Sequence, residues 1–192
     1  MKKENNVRYI LRLTVTLLLI TALVAAALAG VNAITKEKIA AIQLEKTQKA
    51  MEEVLPGYGE YQTHDFTDKT ETVKTVYVPY SHDGGTLGGA SCYVAEVEPA
   101  GFGGKITMMV GVKDGAVSGV SIVSHAETAG LGSIAAEKTE KGMNFRDQFV
   151  GTAEAVKVNK DGGTIDAITS ATITSRAVAE GVNAALAVQI QG

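Results

Sequence analysis

The 192-residue chain has no tryptophan, one cysteine, three prolines and three histidines. The lone thiol, Cys92, excludes an internal disulfide and any multi-cysteine zinc or iron–sulfur site. No Cys-x-x-Cys-His run occurs, which excludes covalent haem, and Cys92 reads as a small buried residue of a strand. His64, His82 and His125 are too scattered to form a metal-ligand spacing, and no Gly-x-Ser-x-Gly elbow offers a serine nucleophile. Positive charge is not in excess: the net charge is −3 and the pI about 5.7, so no nucleic-acid surface is expected. Against 21 glycines the few prolines argue for tight turns and close backbone approaches rather than a disordered linker. The length allows one compact domain plus an accessory segment.

What is present begins with an uncharged run, LTVTLLLITALVAAALAGVNA, from Leu13 to Ala33. As a helix its residues rise about 1.5 Å each and cover about 31 Å, the thickness of a bilayer's hydrocarbon core. Lys2, Lys3, Arg8 and Arg12 precede it against a single Glu4. That asymmetry keeps residues 1–12 cytoplasmic and exports the chain beyond the span. A single-pass protein of the cell (inner) membrane with an extracytoplasmic C-terminal domain is therefore expected. A cleaved signal peptide competes, with Ala27-Leu28-Ala29 and Val31-Asn32-Ala33 as small-x-small sites, but its apolar region would normally be shorter. Residues 34–56 read as a helical, solvated stalk with apolar positions at Ile39, Ile42, Leu44, Ala50, Met51 and Leu55, ended by Pro56-Gly57. Residues 57–192 then form the extracytoplasmic domain.

In that domain, strand-like runs lie at Val73–Val78, Cys92–Val97, Lys105–Val112 and Ala116–Val123. Asp114-Gly115 between the last two predicts a tight hairpin. Gly84–Ala90 reads as a loop lacking the context of a phosphate-binding fingerprint. Ser133–Lys141 predicts a short helix, Met143–Val150 a second helix or a turn, and Ala155–Val158 a short strand. Ile173–Ile190 predicts the main helix, with Ile173, Ala177, Val178, Val182, Ala185, Leu186 and Ile190 on one stripe. Strands in succession followed by helices imply an α+β fold on an antiparallel sheet.

Two segments carry candidate chemistry. Leaving the hairpin, Ser124–Gly132 reads SHAETAGLG, in which His125 and Glu127 stand two apart and would share one strand face as an acid–base pair. Further on, Asp166–Ser175 reads DAITSATITS, a helix start rich in hydroxyls. Thr172, Thr174 or Ser175 is placed to cap it, and such a start attracts phosphate through unpaired N–H groups and the helix dipole. A hydrolase built on Ser170 or Ser175 with His125 is the weaker use of the same residues.

The stretch Asp166-x-x-Thr169-Ser170-Ala171-Thr172 resembles the flavinylation motif of FMN-binding domains, Asp-x-x-Ser/Thr-Gly/Ala/Ser-Ala-Thr. Glu127-Thr128-Ala129-Gly130-Leu131-Gly132 resembles that family's Glu-Thr-Pro-Gly-Leu-Gly loop, which lies against the flavin. Gly101-Phe102-Gly103-Gly104-Lys105-Ile106 is similar to its Gly-Tyr-Gly-Gly-Pro-Ile strand entry. With the N-terminal anchor, the likeness is to the G-subunit type of Rnf electron-transport complexes, and to the related C-subunit type of sodium-pumping NADH:quinone oxidoreductases. Ala129 and Lys105 depart from the pattern by replacing prolines, and Ser170 by standing where Gly is commonest.

The resemblance implies FMN esterified through its phosphate to Thr172 by a dedicated flavin transferase. Glu127, Thr128, Gly130, Leu131, Gly132, Thr169, Ser170, Ala171 and Ile173 would form the rest of the cofactor site. It implies no catalytic residues of the chain's own and an electron relay within a membrane-bound, ion-translocating oxidoreductase. Its partners are the other membrane subunits, with ferredoxin and NAD at the ends of the complex. Lys157 or Lys160 would add positive charge near the flavin, and Asp166 would be read by the transferase or fix a turn. Two other readings share these residues: a stand-alone, membrane-anchored flavinylated electron-transfer protein, and a flavin-free extracytoplasmic binding domain in which Thr172 only caps a helix.

Overall fold

Alternation of apolar and small residues on either side of Asp114-Gly115 folds the chain back on itself, with Asp114 and Gly115 both in the left-handed region (φ 52° and 79°). This is the backbone of a two-residue hairpin turn, and it joins β5 (Thr107–Lys113) to β6 (Ala116–Ser124), pairing Lys113 with Ala116. A computed structural model describes residues 2–67, 71–80 and 91–190, so the expected Gly84–Ala90 loop lies outside the described residues. With β1 (Tyr61–His64), β3 (Val73–Pro79) and β4 (Cys92–Val97), the hairpin makes a five-stranded antiparallel sheet in the order β1-β3-β4-β5-β6. The two-residue strands β2 (Phe66–Thr67) and β7 (Gln189–Ile190) pair separately. The fold is α+β, as the order of elements predicts.

β4 is buried along its whole length, and its alternation supplies two cores. Tyr93, Ala95 and Val97 join Val76, Val110 and Val112 under the helices α2 (Glu140–Asp147) and α3 (Thr172–Leu186). Cys92 and Val94, with Met109, face Ala50, Met51, Val54 and Leu55. Those last residues belong to the end of α1 (Lys2–Val54) and the residue after it, so the segment expected as a solvated helical stalk is largely exposed over 34–49 and buried only in its last turn. The cause is a pair of cross-strand glycines, Gly111 opposite Gly119. A Cβ at Gly119 would lie 2.9 Å from Val54 Cα, so only glycine lets the final helical turn rest on the sheet. Ser118 Oγ then donates to Val54 O (2.6 Å) and Ser121 Oγ to Glu53 Oε2 (2.9 Å), satisfying groups at the helix end. Hence the compact unit holding the sheet begins at Glu45, and residues up to Leu44 form a second, helical unit.

In that helical unit Leu17, Leu18, Leu19, Ile20 and Leu23 are all more than half exposed. A contiguous apolar surface of this kind suits lipid rather than water. Its polar interruptions are self-satisfied, since Thr14, Thr16 and Thr21 donate to the carbonyls of Ile10, Arg12 and Leu17 at 2.8–3.0 Å. Among the described residues, α1 is the one helix long and apolar enough to cross a membrane.

Other boundaries move for identifiable reasons. A 3-10 turn over Gly132–Ala136 precedes α2, which starts only at Glu140 behind the N-cap Thr139, so the helix expected over Ser133–Lys141 is divided. The buried Arg146 fastens the two pieces by donating to Ala135 O (2.6 Å) and Glu137 O (3.0 Å). Ala155–Val158 is not a strand. Val156 pairs its N–H and C=O with the Asn183 side chain (2.8 and 2.9 Å), and Val158 makes an isolated bridge to Ile165. The C-terminal helix stops at Leu186 instead of Ile190, which pairs with Phe66.

Candidate functional site

Three stretches distant in sequence meet at a cavity of about 350 Å³. The loop after β6 contributes Glu127, Thr128, Leu131 and Gly132, and the start of α3 contributes Ser170 to Thr174. Phe102, from the glycine-rich entry to β5, completes the wall. The volume lies at the low end of small-molecule pockets, which run from about 300 to 1,000 Å³. Eight of the ten expected cofactor residues therefore line one space. Thr169 and Gly130 lie outside that lining; Gly130 N–H instead donates to Ser133 Oγ (2.8 Å). Phe102 and Thr174 line the same space in addition to the residues expected to hold the cofactor. Phe102 is marked in the sequence by standing at the aromatic position of the glycine-rich strand entry, and Thr174 by its place two residues beyond Thr172 on the same helical turn.

The hydroxyls at the helix start divide into distinct tasks, and none of them caps α3. Ala171 occupies the N-cap with no side-chain hydrogen bond to the first turn, which corrects the capping expectation for Thr172, Thr174 and Ser175. Ser175 is fully buried; its Oγ accepts from Ile168 N–H and donates to Ala171 O, both at 3.0 Å. Thr174 is buried and donates through Oγ1 to Glu127 Oε2 in a short hydrogen bond. Thr172 is half-buried in the cavity wall, and among the described residues its hydroxyl has no partner within the protein.

The chemistry of this lining fits FMN. An uncapped helix start presents N–H groups and positive dipole to a phosphate. Phe102, Leu131 and Ile173, exposed by 68%, 42% and 48%, give the mouth an apolar rim able to cover a flat ring. Ile173 thus leaves the predicted core stripe for the cavity. Among the described residues, Glu127 is the sole titratable side chain in the lining. His125 does not share its face as expected: β6 ends at Ser124, and the ring lines a different hollow with Lys46, Lys49 and Lys138. Its Nδ1 accepts from Glu127 N–H (3.2 Å), so the acid–base pairing is not formed.

Neither Lys157 nor Lys160 lines the cavity. Arg176, one turn into α3, is held in a bidentate pair with Asp161 (2.6 and 2.7 Å), and that hydrogen bonding lowers the Asp161 carboxyl below its usual range. Asp166 sits in a clasp. Its Oδ1 accepts from Asn159 Nδ2 (2.9 Å), and its N–H donates to Gln148 Oε1 (2.7 Å).

Ser170 has φ +64°, which explains why glycine is favoured at this place in the motif. Ser170→Val is expected to lower stability by about 1–2 kcal/mol through its Cβ branch in the left-handed region. Ser170→Gly relieves that strain but adds about 0.4–1 kcal/mol of unfolded-chain entropy, leaving stability within about 1 kcal/mol of the wild type. Urea unfolding of the two variants checks the order.

Residues 101–187 match the FMN-binding domain family, and residues 1–54 match the RnfG N-terminal region. The G subunit of the ion-translocating oxidoreductase complex of Methanosarcina acetivorans is 30% identical over 188 residues, 95% of each chain. The G subunit of the Na(+)-translocating ferredoxin:NAD(+) oxidoreductase complex of Acetobacterium woodii is 31% identical over 207 residues, 97% of this chain and 95% of that one. The G subunit of the proton-translocating ferredoxin:NAD(+) oxidoreductase complex of Clostridium ljungdahlii is 43% identical over 95 residues, about half of each chain.

Proposed function

From the premise that the chain belongs to the G-subunit family of ion-translocating oxidoreductase complexes, we propose that it relays electrons through FMN esterified to Thr172. The observation that carries this is the convergence of 127–132 and 170–174 on one cavity whose wall holds the unengaged Thr172 hydroxyl. Bound there, FMN supplies a redox centre that accepts and donates electrons.

The chain's part is binding and orientation. Thr172 Oγ1 is the ester oxygen, and the first turn of α3 stabilises the charge left on the phosphodiester. Ser170, Ala171 and Gly132 keep side chains short beside the chain of the cofactor, and Thr128 supplies a polar contact. Leu131, Ile173 and Phe102 cover apolar ring surface. The Glu127 oxygens accept from Gly103 N–H and Thr174 Oγ1, and among the described residues no carboxylate or imidazole accepts from the Thr172 hydroxyl to act as its base. Attachment therefore falls to a separate flavin transferase rather than to self-reaction.

Residues 1–12 remain in the cytoplasm, 13–33 span the membrane, and the sheet domain lies on the outer face. Electrons pass to and from neighbouring membrane subunits of a ferredoxin:NAD-type complex. Ferredoxin and NAD do not touch this subunit, because they act on the opposite face. A tether also prevents loss of the cofactor where none is made.

Producing the full chain with and without a flavin transferase tests the assignment. Under ultraviolet light after denaturing electrophoresis, a fluorescent band is expected only with the transferase. A band that is dark in both overturns the covalent assignment.

A further inference from the structure

We infer that Glu127 is a positioning residue, not a flavin ligand, and that its carboxylate holds Phe102 as an aromatic cover over the bound flavin. This rests on the FMN reading of the cavity given above. Glu127 is buried, at 8% exposure, and both of its oxygens are committed. Oε1 accepts from Gly103 N–H (2.9 Å), and Oε2 accepts from Thr174 Oγ1. A buried carboxylate needs such donors, and these two come from different walls of the cavity. One is the loop that presents Phe102; the other is the first turn of α3, two residues from Thr172. The carboxylate therefore fixes the distance between the Phe102 loop and the proposed attachment site.

The surrounding backbone is shaped to admit this brace. A Cβ on Gly101 would meet Glu127 Oε1 and Ile106, and one on Gly132 would approach Thr174 Oγ1 to 2.6 Å as well as Glu127 Oε2. Gly103 lies so close to the Ala126 carbonyl that no side chain fits between them. Three glycines from two motifs thus enclose one carboxylate, while Phe102 between two of them projects to solvent at 68% exposure. An aromatic ring so exposed on a tightly held loop has no role in the protein core. Over the cavity mouth it keeps water and small solutes from the flavin face beneath it.

The test uses the full chain flavinylated on Thr172 and reads quenching of flavin fluorescence by iodide in solution. Phe102→Ala is expected to raise the quenching constant by about twofold or more, as exposure of a covered ring should. Glu127→Asp keeps the charge but shortens the reach, and is expected to raise it comparably. The double variant is expected to match Phe102→Ala alone, because both changes act on the same cover. Phe102 is exposed, so its variant folds even if Glu127→Asp does not. A bright wild-type band with unchanged quenching in Phe102→Ala overturns this inference alone, and additive effects in the double variant overturn the positioning role. A dark wild-type band overturns the flavin reading on which it stands.

Discussion

Thr172→Ala yields a folded chain with no flavin that survives denaturation, a complete loss of the fluorescent band. The expectation of intact folding follows from the side chain's surroundings. Thr172 is half-buried and gives no hydrogen bond to the protein, so removing its hydroxyl leaves no orphaned partner. Its cost falls within the roughly 1 kcal/mol common for such changes, and circular dichroism should superimpose on the wild type. Neighbouring hydroxyls behave differently. Thr174 and Ser175 are buried and bonded to Glu127, Ile168 and Ala171, which leaves neither free to form an ester without breaking the site. Thr169 is outside the cavity. Thr169→Ala should therefore keep the band. Flavinylation persisting in Thr172→Ala contradicts the assignment to this residue.

The largest expected loss of stability is Phe149→Ala. Phe149 is fully buried and meets Phe145 edge-to-face, with centroids 5.5 Å apart. Removing such a ring costs about 3–5 kcal/mol, through lost transfer energy and the cavity left behind. For a domain of this size that lowers Tm by about 10 °C, at roughly 2–4 °C per kcal/mol. The effect reaches the site by a short route. Phe149 anchors the turn in which Gln148 grips the backbone of Asp166, and Gly151 N–H bonds to Val117 O of β6 (2.8 Å). Loss of the ring loosens the clasp at the start of the 166–172 motif. Thermal unfolding of the flavin-free chain measures the stability term separately from flavinylation yield. A Tm shift below about 3 °C contradicts the role given to Phe149.

How legible this architecture is in the sequence depends on whether the signal is local. Asp114-Gly115 encodes its hairpin in two residues, and Leu13–Ala33 encodes an apolar helix by length and absence of charge. The main helix is legible except at its ends, where Ile173 turns to the cavity and Ile190 pairs with Phe66. The packing of the last turn of α1 on the sheet is not legible. It depends on Gly111 and Gly119 coming opposite each other across a hairpin, more than fifty residues after Val54. The strand expected at Ala155–Val158 fails because the Asn183 amide, 27 residues beyond Val156, takes the hydrogen bonds a strand neighbour would have made.

At the site, the motif residues are recognisable one by one, whereas their division of labour is tertiary. Glu127 looks like a ligand or base in sequence and is a bridge in space. His125 looks like its partner and faces another hollow. Ser170 looks like a tolerated substitution for glycine and carries the left-handed backbone that glycine usually supplies.

Mass spectrometry of peptides from the chain matured with its transferase locates the flavin on the protein. One FMN, less one water, is expected on the peptide containing residues 166–175, with fragmentation placing it on Thr172. Unmodified Thr172 in a chain that carries FMN on another residue, or only releasable FMN, would contradict this assignment.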